Sequence, residues 1–399
     1  MRTLNKLIIT RWKDRLLTVL FSDGQPLEIG LEEETSILGN IYIGKVNRII
    51  KNLNSAFVDF GKGQTGYYSL SDNPEVLFAD GHTGPIKGGD EILVQVSRDA
   101  VRTKEPVLSS NLNFSGQYGV LTAGKRMIGF SSRITDKEWK ERMRPLLEDA
   151  IGAKAGLIVR TNAYGHEEQL FHELKILMKD YENVLQSGSY RTCFSLLYRP
   201  NPEYIKTIRS CPLGSIEEVI TDDPDVYSQL QSYFSRCSQE ESCPVRFYED
   251  SMISLSSLYS LESVMDRACQ KRVWLKSGGY LIIEYTEAMV VIDVNTGKYS
   301  GKKNKEEAIR LTNREAAEEI SRQLRLRNLS GIIIVDFIDM KNQEFKDELM
   351  LYLKKLVHQD PIKTTVVDMT QLNLVEITRK KEKKPLWEQL SQNNEIRQN

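Results

Sequence analysis

Two nearly continuous apolar runs in the last third of the chain each lead into an aspartate, and they restrict the fold more than any other feature. The first run, residues 289–294, contains Asp293 and is followed by Asn295. The second run, residues 331–335, leads directly into Asp336. Strands without polar alternation are typical of sheets covered on both faces, as in α/β folds. Because side chains two positions apart in a strand lie on one face, Asp293 and Asn295 should face the same way.

The segment between the two runs predicts a helix. Asn304 and Glu307 have the spacing of a capping box, and apolar positions then recur at helical spacing to about residue 327. A strand, helix, strand unit closes with a right-handed crossover, so its two strands run parallel and their carboxyl ends share one edge of the sheet. We therefore expect Asp293 and Asp336 to lie close together at the edge where open α/β sheets bind their ligands.

Two carboxylates at one sheet edge indicate a cation site. They repel each other unless a cation or a proton lies between them. Carboxylate oxygens and water suit magnesium, which keeps much of its hydration shell. The alternative is that one acid caps a helix and the other lies in a surface loop. The residues alone leave both interpretations open, and the strand-end position favours the metal site.

Short strands with glycine-rich turns between residues 39 and 112 predict a small closed barrel. Alternation predicts inward-facing side chains at Ala56, Val58, Phe60, Tyr68 and Leu70. It predicts outward-facing side chains at Ser55, Phe57, Asp59, Tyr67 and Ser69. Exposed rings near Lys45, Arg48, Lys51 and Lys62 would suit a single strand, because bases stack on rings and cations meet phosphates. Ordinary half-buried strand aromatics are an equally good interpretation of the periodicity.

Composition sets broad limits without indicating a ligand. The 399 residues suffice for roughly two to four compact units, and the 54 basic residues nearly cancel the 55 acidic ones. Net charge therefore gives no argument for a nucleic-acid partner. The five cysteines form no CxxC pair, which predicts reduced thiols. No segment has the pattern of a signal peptide or a membrane span, so we expect a cytoplasmic protein.

Residues 278–298 and 315–340 resemble the catalytic core of the ribonuclease E/G family. The likeness extends through residues 39–70, similar to the family's S1 domain, and residues 156–161, similar to its 5′-phosphate sensor, and it covers nearly the whole chain. It implies an α+β multidomain fold. An RNase H-like subdomain in two parts (1–37 and 205–270) would enclose an S1 (OB-fold) domain (38–115) and a sensor region (116–204). A DNase I-like α/β subdomain (271–390) and a tail (391–399) would follow.

The resemblance also implies roles for individual residues. Asp293 and Asp336 would hold Mg²⁺, with Mn²⁺ as a substitute, and Asn295 would position the scissile phosphate or the attacking water. The implied 5′-monophosphate sensor consists of Arg160, Thr161 and Gly129. The implied RNA contacts are Phe57, Tyr67, Lys104 and Lys298. The implied reaction is endonucleolytic hydrolysis of single-stranded RNA in rRNA maturation and mRNA turnover. It would leave 5′-phosphate and 3′-hydroxyl ends and be stimulated by a 5′-monophosphate.

The chain departs from the family pattern in several places. The zinc-binding CPxC motif is absent, so we expect no zinc and no zinc-linked tetramer, while a homodimer stays open. Gln371 and Asn373 stand where the family has a basic residue and a glycine. Glu105 and Pro106 follow Lys104 where the family has glycine and a small residue. With no long scaffold after the catalytic part, the chain resembles the short, ribonuclease G-like form.

Two other functions are compatible with parts of the sequence. A non-catalytic S1-type RNA-binding protein would need Phe57, Tyr67 and Arg160 but not the aspartates, and the presence of Asp293 and Asp336 argues against it. A phosphodiesterase acting on single-stranded DNA would use the same metal pair.

Overall fold

The computed structural model describes residues 5–32, 37–61, 63–98, 100, 105–123, 127–152, 155–212, 214–235, 237, 242–297 and 305–395, and in the last range the side chains of 306–390. Lys62, Lys104, Lys298 and Asn304 lie outside the described residues. None of the described helices combines the length and apolar composition needed to cross a bilayer. All five cysteines are free thiols, as predicted.

The strands, in chain order, are β1 (Asn5–Trp12), β2 (Arg15–Ser22), β3 (Gln25–Glu32), β4 (Ile41–Ile50), β5 (Ser55–Gly61), β6 (Gln64–Ser69), β7 (Glu91–Arg98), β8 (Val107–Ser109), β9 (Asn113–Ser115), β10 (Gly119–Thr122), β11 (Ile128–Phe130), β12 (Gly156–Val159), β13 (Leu196–Tyr198), β14 (Ile216–Thr221), β15 (Val245–Phe247), β16 (Arg272–Trp274), β17 (Tyr280–Tyr285), β18 (Met289–Asn295), β19 (Gly331–Asp336), β20 (Thr364–Met369) and β21 (Leu374–Arg379). The helices are α1 (Lys137–Ile151), α2 (Glu167–Tyr190), α3 (Glu203–Ser210), α4 (Pro224–Phe234), α5 (Leu255–Leu258), α6 (Leu261–Cys269), α7 (Lys305–Leu326), α8 (Gln343–Val357) and α9 (Leu386–Glu395). The mixture of helices and strands agrees with the α+β class.

The chain divides into two compact units. The first unit combines Met1–Glu32 with Gly214–Asn399, and the second unit is Glu33–Leu213. The second unit is therefore inserted into the sequence of the first. The finer division into RNase H-like, sensor and DNase I-like parts stays a prediction.

A closed five-stranded barrel forms the first part of the second unit, as predicted. Strands β4, β5, β6, β8 and β7 pair in that order, and β7 pairs again with β4 to close the ring. The barrel interior has no room for a side chain at some of its positions. A Cβ at Gly44 would lie 2.6 Å from Val58, and one at Gly66 would lie 2.5 Å from Leu108. Glycine at these positions lets the strands close on a filled core.

The alternation predicted for β5 and β6 holds for the aromatic residues. Side chains buried in the barrel include Ala56, Val58, Phe60 and Tyr68. Phe57 and Tyr67 are half-exposed on the other side, while Leu70 is only partly buried. The predictions for Ser55 and Ser69 are wrong, because both residues are buried, and the Ser55 hydroxyl has no hydrogen-bond partner among the described residues. Ser55 is the first residue of β5 and pairs with Ile50 and Ser69 on the neighbouring strands.

In the remaining part of the same unit, a small sheet packs against two helices. The sheet has the order β11-β12-β10-β9, and α1 and α2 contribute to the same core. Helix α2 places Leu170, Leu174, Leu177, Tyr181 and Val184 on its buried face, at the spacing of an amphipathic helix. Glu173 on α2 accepts hydrogen bonds from the backbone of Gln117, Tyr118 and Gly119, which fixes β10 against the helix.

The first unit contains two sheets with α7 in contact with both. One sheet has the order β15-β14-β1-β2-β3, and the other has the order β16-β17-β18-β19-β21-β20. Helix α7 contributes Ala316, Ile320 and Leu324 to the core of the second sheet. On the side of the first sheet, Arg322 donates to the carbonyl oxygen of Pro26.

The second sheet is covered on one face only. In β18, residues 290, 292 and 294 are buried, whereas 289, 291, 293 and 295 are half-exposed. The sequence-based expectation that both faces are covered is therefore wrong, because α7 and α8 pack on the same side. We call the other side the open face; it carries Arg272, Trp274, Tyr280, Ile282, Asp293, Asn295 and Asp336.

Candidate active site

The two aspartates lie opposite each other on neighbouring strands. Strands β18 and β19 are parallel, and the register pairs Asp293 directly with Asp336. Neighbouring strands are about 4.8 Å apart, so the two carboxylates extend from adjacent backbone positions. Asp336 is exposed and Asp293 is half-exposed. The crossover argument from the sequence thus placed both acids at one edge of the sheet.

Asn295 holds the carboxylate of Asp293. Its Nδ2 donates a hydrogen bond of 2.7 Å to Asp293 Oδ2. The two residues share a face because they are two positions apart in β18. This bond orients one acid of the pair before any ligand binds.

Glycines on two turns fix the backbone around Asn295. A Cβ at Gly279 would lie 2.8 Å from the carbonyl oxygen of Asn295, and one at Gly297 would lie 2.2 Å from the carbonyl oxygen of Gly278. Gly297 also has a φ of +62°, which favours glycine. Helix α7 supports the first turn, since the Glu315 carboxylate accepts from the backbone N–H of Ser277 at 3.1 Å. Larger side chains at positions 279 and 297 would therefore clash with the neighbouring backbone, which explains the presence of glycine at both.

Negative charge accumulates at this edge. Partial burial raises the pKa of Asp336, and the charges of Asp293 and of Asp339 raise it further. Within the described residues, no three or more His, Cys, Asp or Glu side chains converge closely enough to hold a metal by themselves. Two paired carboxylates are compatible with a hydrated magnesium ion, which proteins often bind through only one or two acids.

A cation reaches the same edge from α8. Lys346 Nζ donates to Asn373 Oδ1 at 2.8 Å, and Asn373 Nδ2 donates to Asp339 Oδ1 at 3.2 Å. Asn373 has a φ of +62°, a conformation that asparagine tolerates better than most residues. From the sequence, Asn373 was noted only as a departure from glycine, and Lys346 was not predicted as a site residue. Its position in the first turns of the helix that follows β19 could have indicated that it lies near Asp336.

The predicted sensor residues come together in the second unit. Strands β11 and β12 are parallel, and Gly129 lies opposite Ile158. Thr161 Oγ1 lies 2.9 Å from Ser131 Oγ, and Arg160 directly precedes Thr161 after β12. A Cβ at Gly129 would meet no atom within 4 Å, so the surface there is open. Ser131 was not predicted from the sequence, and only the pairing of the two strands reveals it.

The predicted stacking residues of the barrel form a pair. Phe57 and Tyr67 lie opposite each other on β5 and β6, with ring centroids 6.2 Å apart and an interplanar angle of 79°. The Arg48 guanidinium lies 5.0 Å from the Phe57 ring centroid. Two half-exposed rings and a guanidinium can stack with bases and meet a phosphate. The remaining predicted contacts, Lys104 and Lys298, lie outside the described residues.

The fold and the site combine a paired-carboxylate edge on an α/β sheet with a barrel that presents aromatic rings beside a cation, an arrangement suited to a nuclease. Comparison with known proteins gives the same class. The profile of the ribonuclease E/G family matches residues 113–382. The chain is 32% identical to ribonuclease G of Escherichia coli strain K12 over 378 residues, which covers 91% of this chain and 77% of that protein. The chain belongs to the ribonuclease E/G family and is an endoribonuclease.

Two further relatives extend the comparison. Ribonuclease G of Salmonella typhimurium is 31% identical over 378 residues, which covers 91% of this chain and 77% of that protein. Ribonuclease E of a Synechocystis strain is 31% identical over 389 residues, which covers 96% of this chain and 56% of that protein. The match thus spans both units of the chain.

Proposed function

We propose that this endoribonuclease hydrolyses single-stranded RNA with magnesium held by Asp293 and Asp336. The pairing of these two acids across β18 and β19 is the observation that carries the proposal. The names of the relatives, ribonuclease G and ribonuclease E, support RNA as the substrate. Mn²⁺ would fit the same oxygen ligands.

In this mechanism, Asn295 would orient the reacting groups, and the two aspartates would supply the negative charge that binds the metal. Asn295 keeps the Asp293 carboxylate in one orientation through its 2.7 Å hydrogen bond, and it would position the scissile phosphate or the attacking water. Asp336 supplies the second carboxylate from the neighbouring strand. When bound, magnesium would neutralise charge on the phosphodiester and lower the pKa of a coordinated water. Hydrolysis of this kind leaves 5′-phosphate and 3′-hydroxyl ends.

Residues of the second unit would contribute to binding the substrate. Phe57 and Tyr67 would stack bases, with Arg48 beside a phosphate. Arg160, Thr161 and Gly129 would bind a 5′-monophosphate, and the hydroxyl of Ser131 lies within hydrogen-bonding distance of Thr161. A guanidinium and hydroxyl groups suit a terminal phosphate, which has more charge and more free oxygens than an internal phosphodiester. Lys104 and Lys298 stay proposed RNA contacts.

The proposed biological role is processing of ribosomal RNA and turnover of messenger RNA. This role rests on the family alone, and stimulation by a substrate 5′-monophosphate belongs to the same proposal.

One assay tests the chemistry directly. An A/U-rich single-stranded RNA labelled at its 5′ end is incubated with the protein in magnesium, in manganese or with a chelator, and the new ends are identified. We expect internal cleavage only with a divalent cation, with 5′-phosphate and 3′-hydroxyl ends. Cleavage in chelator, or a 2′,3′-cyclic phosphate, would contradict the mechanism. Tight binding without cleavage in either metal would instead indicate an RNA-binding protein.

A further inference from the structure

We propose that Arg272, Trp274 and Tyr280 bind single-stranded RNA next to the active site. We call these three residues the β16 platform. The inference rests on the proposed function for the identity of the nucleic acid, but it concerns residues that are not involved in holding the metal or the terminal phosphate.

The β16 platform is a compact group of two rings and a guanidinium. The ring centroids of Trp274 and Tyr280 are 5.4 Å apart, with an interplanar angle of 63°. The Arg272 guanidinium carbon lies 4.6 Å from the Tyr280 centroid and 5.5 Å from the Trp274 centroid. Trp274 is 63% exposed although it is the largest apolar side chain type. A ring that is so exposed adds little burial energy, so packing does not account for it.

Strand register places the β16 platform on the face that carries the catalytic acids. Trp274 pairs with Tyr280, and Tyr280 pairs with Asn295. One row away, Arg272 pairs with Ile282, which pairs with Asp293. Directly opposite residues on neighbouring strands share a face. At about 4.8 Å per strand, the platform lies about 10 Å from the acid pair.

Charge on this face favours RNA as the ligand. Arg272 makes no ion pair within the described part of the chain, whereas Lys271 beside it is paired with Glu284 at 3.1 Å. A guanidinium that has no ion pair in the described part of the chain and lies beside two rings in an edge-to-face pair provides a phosphate contact and a surface for bases in one place. The face also carries Asp293 and Asp336, which repel phosphates, so a cation here offsets that repulsion for a strand that enters the site.

Binding measurements without cleavage test the platform independently of the metal site. Fluorescence anisotropy with a labelled A/U-rich RNA in chelator would compare the wild-type chain with Trp274→Ala, Trp274→Phe and Arg272→Gln. We expect Trp274→Ala to raise Kd by about 5-fold to 150-fold, the range for loss of one base stack, and Trp274→Phe to restore most of the affinity. Arg272→Gln should lower the slope of log Kd against log salt by about one. Tyr190→Ala removes an exposed ring on α2 and should leave Kd unchanged.

Several outcomes would overturn the proposal. Unchanged Kd in Trp274→Ala with an unchanged melting temperature would show that the ring does not contact RNA. A change in oligomeric state with unchanged affinity per chain would show that the face binds a second copy of the protein. Because binding is measured in chelator, these outcomes are independent of whether Asp293 and Asp336 hold the metal. In steady-state cleavage, Trp274→Ala should raise KM and leave kcat within about 2-fold, since the stack is made in both the ground state and the transition state.

Discussion

Lys346 and Asn373 are joined by a 2.8 Å hydrogen bond that ties α8 to the turn before β21. Asn373 in turn donates a hydrogen bond of 3.2 Å to Asp339 Oδ1, so it links the lysine to this acid. In the described part of the chain Lys346 has no carboxylate within ion-pair distance. The turn at Asn373 thus holds a cation near the acidic edge.

We expect Lys346→Met to lower kcat/KM on single-stranded RNA by about 10-fold. A hydrogen bond or contact that involves a charged group contributes about 1.5 kcal/mol, which corresponds to that factor. Lys355→Met removes an exposed lysine from the last turn of the same helix and should have no effect. Equal rates for wild type and Lys346→Met would show that Lys346 is only a structural contact of Asn373.

Asp293→Asn and Asp336→Asn should each lower the cleavage rate by about 100-fold or more while RNA binding changes by only a few-fold. Each substitution removes one negative charge from the paired ligands. Rates would be measured over a magnesium titration, with Asp347→Asn on α8 as the control. Near wild-type turnover of either variant at saturating magnesium would exclude the metal assignment.

Phe57→Ala and Tyr67→Ala should each weaken binding of single-stranded RNA by about 1 to 3 kcal/mol, because each removes one stacking ring. Both rings are half-exposed, so the melting temperature should change little. Tyr68→Ala is the matched comparison: its ring is fully buried, and its loss should destabilise the barrel. The same loss of stability in Phe57→Ala and Tyr68→Ala, with no loss of affinity, would place Phe57 in the core.

RNA with a 5′-monophosphate should be cleaved faster than the same RNA with a 5′-hydroxyl. Arg160→Gln should abolish that preference and spare the slower reaction, because Arg160 belongs to the second unit and the acid pair to the first. Competition between two differently labelled RNAs measures the preference in one tube. The sensor role would have to be abandoned if wild type shows no preference or if the variant loses both activities equally.

Arg379→Met should destabilise the protein by about 3 to 5 kcal/mol, since it leaves a buried carboxylate without its partner. Arg379 and Asp360 are both buried, and Arg379 Nε lies 2.7 Å from Asp360 Oδ2. The adjacent pair of Lys380 and Glu382 has a similar distance of 2.8 Å but is exposed, so Lys380→Met should cost less than about 1 kcal/mol. Urea unfolding of both variants gives the comparison, and equal shifts would contradict it.

Sequence reasoning succeeded where a local pattern determines the outcome. The parallel pairing of Asp293 with Asp336 follows from two apolar runs and the handedness of the crossover. The outward positions of Phe57 and Tyr67 follow from a period of two. The pattern predicted burial less well where burial depends on tertiary packing. Ser55 and Ser69, which pair across β5 and β6, are both buried, and β18 has an open face although its sequence is nearly all apolar.

Contacts between distant segments could not be predicted from local patterns. Lys346 and Asn373 are 27 positions apart and meet only because β21 lies next to β19. The edge-to-face contact of Trp274 with Tyr280 depends on the register of β16 with β17. A shift of one residue in that register would move the Trp274 side chain to the other face of the sheet. Such contacts involve side chains that carry function, so the sequence indicated the class of site better than its full set of residues.

The parallel pairing of β1 with β14 also has a consequence for synthesis of the chain. These strands belong to one sheet, yet about 200 residues, including the whole second unit, separate them. At a synthesis rate of about 5 to 20 residues per second, β1 leaves the ribosome roughly 10 to 40 s before its partner exists. Throughout that interval, the β1–β3 hairpins have an unpaired edge of the kind that attracts other strands. The inserted barrel, whose strands are all nearby in sequence, can fold first and keep the nascent chain compact until β14 emerges.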